Sequence, residues 1–121
     1  MQIAKLSEIT SFITADGSSI RELVGPAWTA ARNQSLAEAT LEAGGETAEH
    51  YHPKAEEIYY FTAGSGRLRL GSEEAEIQAG DSVVIPPGTV HKLWNTGAEP
   101  LVLLCCCAPA YSHDDTILTG G

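Results

Sequence analysis

The chain has 121 residues, 43% of them hydrophobic, with sixteen acidic and seven basic side chains and a formal net charge of −9. That acidity repels phosphate backbones and anionic membrane surfaces, so neither nucleic acid nor membrane is expected as a partner. The length is that of one domain, residues 1–121, able to bury roughly two thirds of its unfolded surface.

No apolar run approaches the ~20 residues that span a bilayer. The N-terminal MQIAKLSEITSF has no basic region followed by an apolar one, so no secretory signal is expected and the expected location is cytoplasmic. Cys105, Cys106 and Cys107 are consecutive and odd in number. They cannot build a disulfide framework, and reduced thiols are expected.

Taken in order, Ile3, Lys5, Leu6, Glu8 and Ile9 alternate modestly and predict a short strand within residues 1–13. Asp16-Gly17, followed by Ser18 and Ser19, is a turn signal. Ile20 to Val24 predicts a short strand, closed by Gly25-Pro26. In Asn33 to Leu41, helical propensity at Leu36–Glu38 competes with a strand, and alternation does not decide which face looks inward.

Residues 44–64, GGETAEHYHPKAEEIYYFTAG, carry the chemistry. His50 and His52 are two apart, so on an extended strand they share a face. Pro53 permits a turn before Glu57. Two imidazoles and a carboxylate on one face make half of a divalent metal site. His91, in GDSVVIPPGTVHKLWN at 80–95, is the candidate for the other half. In EIYYFT, an inward Glu57 brings Tyr59 and Phe61 inward and turns Ile58, Tyr60 and Thr62 outward.

Arg67–Leu70 and Ala75–Ile77, joined at Gly71-Ser72, form a hairpin pattern. Ser82 to Ile85 is a strand, broken by Pro86-Pro87-Gly88. Val90 to Asn95 resumes it, with His91, Leu93 and Asn95 on one face and Lys92 and Trp94 on the other. Leu101 to Ala108 is apolar on both faces, which predicts burial on both. The tail, residues 109–121, has little regular pattern. About ten short strands with frequent turns predict an all-β sandwich or barrel.

The spacings in these two stretches resemble the cupin superfamily. Gly44, His50, His52, Glu57 and Gly64 match its first motif without a gap, and Gly80, Pro86, Gly88, His91 and Asn95 match its second. The spacer between them has the short length found in small microbial cupins. The resemblance implies a double-stranded β-helix, a small jelly-roll barrel, in which His50, His52, Glu57 and His91 are the four ligands of one metal ion.

Three imidazoles and one carboxylate, with octahedral positions left open, suit Fe, Mn, Ni, Co or Cu, and Zn as well. Neutral imidazole is required, so affinity should fall as pH drops through about 6–7. Tyr59 is the candidate catalytic residue, as a hydrogen-bonding group beside the ion. Its other reading, shared with Phe61, is barrel core.

Cys105 and Cys107 share a face of the last strand, where they read either as pocket thiols or, in a wholly apolar strand, as small buried apolar residues. His113, Asp114 and Asp115 fit no metal motif. The tail that carries them reads as flexible and polar, or as a lid lending Tyr111 or His113 to the pocket. No glycine pattern supports nucleotide phosphate binding, and no elbow motif supports Ser-His-Asp chemistry.

Small cupins include dioxygenases, decarboxylases, isomerases, lyases and cyclases, and the fold alone does not choose among them. The leading expectation is a metal-dependent enzyme of dioxygenase-like (oxidoreductase) type acting on a small organic molecule. The alternatives are an isomerase or lyase with the ion as Lewis acid, and a non-catalytic binding module. A homodimer is expected by resemblance. An apolar outer face of Ile58, Tyr60 and Trp94 would suit its interface, or would pack against the second sheet.

Overall fold

The computed structural model describes all 121 residues and contains eleven strands, two short 3-10 turns and no α-helix. The strands are β1 (Phe12–Ile13), β2 (Ser19–Val24), β3 (Ser35–Leu41), β4 (His50–Tyr51), β5 (Glu56–Ala63), β6 (Ser65–Leu70), β7 (Glu73–Gln78), β8 (Ser82–Ile85), β9 (His91–Trp94), β10 (Leu101–Ala108) and β11 (Ile117–Leu118). They form two antiparallel sheets, ordered β1-β2-β3-β10-β5-β8 and β11-β4-β9-β6-β7. This is the double-stranded β-helix of the cupin barrel.

Period-two alternation decides what lies between the sheets. On β5, Glu57, Tyr59 and Phe61 are buried while Ile58 and Tyr60 stand exposed. On β9 and just after it, His91, Leu93 and Asn95 are all buried. In β3 it is Ser35, Ala39 and Leu41 that are buried, which settles the face left open by the sequence. Phe61, Leu93, Leu101 and Leu103 sit at 1% exposure or less, and Leu41, Leu68, Ile77 and Ile85 complete the core around them. Burying a side chain of this kind contributes about 1.5–3 kcal/mol.

Four expectations need correction. Residues Leu6–Glu8 form a 3-10 turn with nothing buried, and strand begins only at Phe12; the modest alternation there has no core to face. The outer face of β10 is half-buried rather than buried, because no layer covers that sheet from outside.

Ile58 and Tyr60 face solvent at 41% and 45% exposure, so they do not pack against the second sheet. Trp94 belongs to the other sheet, on β9, with the Arg67, Arg69 and Lys92 cations 5.2, 5.4 and 5.5 Å from its ring centre. It therefore shares no outer face with Ile58 and Tyr60.

The tail, finally, is structured. Residues His113–Asp115 form a 3-10 turn capped by Ser112, and β11 pairs with β4 in the register Ile117↔Tyr51 and Leu118↔His50. A two-residue strand such as β4 would otherwise end its sheet with unpaired backbone groups. No helix is long and apolar enough to cross a membrane.

Candidate metal centre

Strand pairing assembles the histidines. β4 is hydrogen-bonded to β9 with His50 directly opposite His91, and their ring centres lie 4.2 Å apart. His52 lies just beyond β4, its ring 5.0 Å from that of His50 and 5.4 Å from that of His91. The ligating atoms of the three converge within 4.8 Å of one another.

Each ring is locked from behind. Nδ1 of His50 donates to the Ala48 carbonyl at 2.8 Å, Nδ1 of His91 to the Thr89 carbonyl at 2.9 Å, and Nδ1 of His52 to the Asp115 carbonyl at 3.1 Å. A proton held on Nδ1 leaves Nε2 with its lone pair, and all three Nε2 atoms face inward. This is how a metal-ligating histidine is oriented by its outer partner.

Glu57 stands beside the triad, with Oε1 3.3 Å from Nε2 of His52 and 3.7 Å from Nε2 of His91. Burial acts to raise its carboxyl, but the His52 and His91 imidazoles beside it outweigh burial and hold it down at about 2. Burial likewise lowers His50, reinforced by the nearby His91. In His52 the carboxylate of Glu57 overcomes burial, and the net shift is upward.

Glu57 Oε1 and His91 Nε2 are both buried and have no hydrogen-bond partner. Orphaned polar atoms of this kind are rare in a folded core and call for a ligand. Three imidazoles, one carboxylate and two unfilled acceptors fit a divalent transition ion. His50, His52 and His91 are positioned to hold it, with Glu57 alongside.

Tyr59 lines the cavity in front of the triad, 6.1 Å ring to ring from His91, and is 4% exposed. Burial pushes its phenol well above the ordinary value, so it stays protonated. Phe61 does not line the cavity; it is wholly buried core.

Cys105 and Cys107 both face the cavity, and burial pushes both thiols up, away from reactive thiolate. Cys107 has a further contact: its Sγ donates to Oε2 of Glu57 at 3.3 Å. Tyr111 reaches the cavity wall from the tail. His113 does not line the cavity and bonds the Tyr111 hydroxyl through Nδ1 at 3.1 Å.

Two further carboxylates stand near the centre, neither of them part of a metal motif in the sequence. Asp16 was read only as half of a turn signal, yet its Oδ2 lies 3.7 Å from Nε2 of His50. Asp115 was read as part of a polar tail. Its carboxylate accepts from the backbone N–H groups of Lys54 and Ala55, both at 3.0 Å, inside the loop between His52 and Glu57. Neither pairing leaves a periodic trace, because Asp16 and Asp115 both lie in turns far in sequence from the residues they face.

Comparison with known proteins agrees with this geometry. The cupin domain family model matches residues 37–107. An uncharacterized protein of Methanocaldococcus jannaschii, MJ1618, is 48% identical over 109 residues, covering 90% of this chain and 87% of that protein. The fold is shared with a predicted oxalate decarboxylase from Thermotoga maritima (TM-score 0.80, 24% identity, 89% of this chain and 99% of that one). It is also shared with the polyketide cyclase RemF of Streptomyces resistomycificus (TM-score 0.84, 19% identity, 98% and 85%). By the family match and the convergent histidines inside a two-sheet barrel, the chain belongs to the cupin superfamily.

Proposed function

We propose that the protein is a metal-dependent enzyme acting on a small organic molecule, with His50, His52, His91 and Glu57 holding one divalent transition ion. One observation carries this reading: three locked imidazoles present Nε2 atoms to a common point, and two of them, His50 and His52, line a cavity. When bound, the ion supplies a Lewis acid and a template with open positions for a substrate oxygen pair or O₂. On that ground we infer a dioxygenase-like oxidoreductase.

The chain's own residues orient and shield. Leu93 and Leu103 give the cavity apolar walls, and Tyr59 offers a protonated hydroxyl beside His91. A second reading is favoured by Asp16, a carboxylate beside His50 suited to moving a proton. It is an isomerase or lyase that needs no oxygen. The same overall reading places the protein in the cytoplasm as a homodimer, supported by the exposed Ile58, Tyr60 and Val84 on one sheet.

Elemental analysis of protein purified with no added metal or chelator, anaerobically and in air, tests the proposal. Near-stoichiometric iron that is lost in air supports oxygen chemistry. Air-stable zinc, nickel or manganese favours the isomerase or lyase. A His50→Ala/His91→Ala double variant that still binds one ion per chain overturns the site. A monomer at micromolar concentration in sedimentation overturns the dimer.

A further inference from the structure

The cavity in front of the triad is lined by 21 residues, and none of them is a lysine or an arginine. Besides Glu57, the acidic side chains on its wall are Asp16 and Glu22. Much of the rest is apolar, including Ile20, Ala37, Leu41 and Leu103.

Asp16 is built into place. Its Oδ1 accepts three hydrogen bonds, from Thr14 Oγ1 at 2.7 Å, the Ser18 backbone N–H at 2.9 Å and Ser18 Oγ at 2.6 Å. These donors saturate one oxygen and fix the plane of the carboxylate. The other oxygen, Oδ2, points toward Nε2 of His50 at 3.7 Å, too long for a hydrogen bond, and the side chain is only 16% exposed. A fixed, mostly buried acceptor thus faces the position where a molecule beside His50 would sit.

Charge counting decides what that molecule can be. A divalent ion on the triad brings two positive charges, and Glu57 and Asp16 balance both. Glu22 adds a further acidic group and no fixed cation answers it. A carboxylate or phosphate entering here would leave water for a wall that holds hydroxyl donors but no cation, beside an ion whose charge is already balanced, which is unfavourable. A hydroxyl or ammonium group meets Asp16 Oδ2 in a charge-assisted hydrogen bond.

We propose that the cavity takes a neutral or cationic small molecule with an apolar body, and that Asp16 Oδ2 accepts a hydrogen bond from its hydroxyl or ammonium group. This assigns the substrate class of the metal centre and rests on that reading. It sets aside small dicarboxylates and sugar phosphates as substrates of this chain. Asp16 is in this account a specificity-determining residue.

The test uses three catechols that differ only at the 4-position: 4-methylcatechol, 4-(aminomethyl)catechol and 3,4-dihydroxybenzoate. Their binding to zinc-loaded full-length protein is measured by calorimetry without oxygen, and to the metal-free protein by ligand-observed NMR. The methyl and aminomethyl compounds should bind at least about tenfold tighter than the carboxylate. In Asp16→Asn the advantage of the amine over the carboxylate should shrink by at least about fivefold.

The carboxylate binding as tightly as the amine, or none of the three binding at millimolar concentration, overturns the proposal. So does an unchanged ratio in a folded Asp16→Asn. The wild-type ranking needs no variant and decides even if Asp16→Asn fails to fold. Zinc uptake is measured separately by equilibrium dialysis. A protein that holds no zinc overturns the metal reading, and the NMR ranking still decides this one.

Discussion

The backbone carbonyl of Asp115 lies 3.1 Å from Nδ1 of His52, although the two residues are 63 positions apart. The same residue's carboxylate clamps the N–H groups of Lys54 and Ala55. The C-terminal segment therefore sets both the orientation of one imidazole and the path of the loop toward Glu57. Asp115→Ala leaves the buried Ala55 N–H without its acceptor, at a cost of about 1–3 kcal/mol. The carbonyl on His52 is main chain and survives the substitution, so metal affinity should fall only several-fold through the loosened loop, less than the roughly 10–100-fold of losing a ligand's orienting partner. Competition titration with a chromogenic chelator reads it, and Asp114→Ala on the same turn should change neither quantity.

Cys107 gives a finer version of the same test. Its thiol donates to the oxygen of Glu57 that faces away from the histidines. Cys107→Ser keeps a donor and should hold metal affinity within about twofold, whereas Cys107→Ala should lose several-fold affinity and about 1 kcal/mol of stability. Alkylation at pH 8 should separate the three thiols. Cys106 on the outer face should react first, Cys105 in the cavity more slowly, and the buried Cys107 only as the protein opens. Mass spectrometry of a time course shows the order.

The pH dependence of metal binding follows from His52. Its shift is upward from 6.5, so its proton competes with the ion already above that value. Affinity should be greatest at pH 8 and weaken on acidification, by about tenfold per pH unit for one displaced proton. Zinc titrations between pH 8 and 6 test this, and a flat affinity over that range would contradict it.

In the metal-free protein the two histidines pull oppositely. The raised His52 stabilises the fold below 6.5, and its contribution is lost as pH rises through the raised value. The lowered His50 stabilises it above 6.5, and that contribution is lost on acidification through the lowered value.

Gly66 tests the barrel itself. A Cβ there would lie 2.3 Å from the Trp94 carbonyl oxygen and 2.9 Å from a methyl of Leu101. Gly66→Ala must push β6 away from β9, the strand that carries His91. About 1–3 kcal/mol of stability should be lost, as for other overpacked sites. Calorimetric unfolding reads that loss, and the Gly17→Ala variant, where a Cβ would meet nothing within 4 Å, separates crowding from the strain of a positive φ of 90°.

Much of this was written in the residues. Glu57, Tyr59 and Phe61 on β5, and His91, Leu93 and Asn95 at β9, follow from alternation, because each strand has one buried and one solvent face. The two histidines and the glutamate of residues 44–64 stand at a spacing that strand geometry converts into proximity. What alternation conveys is in or out, not which of two sheets a strand joins, and so Trp94 was grouped with Ile58 and Tyr60. Asp16 and Asp115 act through turns, where one carboxylate orients itself by local hydrogen bonds. β11 is two residues long, too short for any pattern, and exists because β4 needs a partner.

The clamp on His52 also has a place in time. Translation at about 5–20 residues per second puts roughly 3–13 seconds between the emergence of His52 and of Asp115. During that interval the imidazole is free of the partner that orients it. The ribosome-bound chain should hold ions loosely and exchange them freely, and the choice of metal should be made only after the last strand has docked.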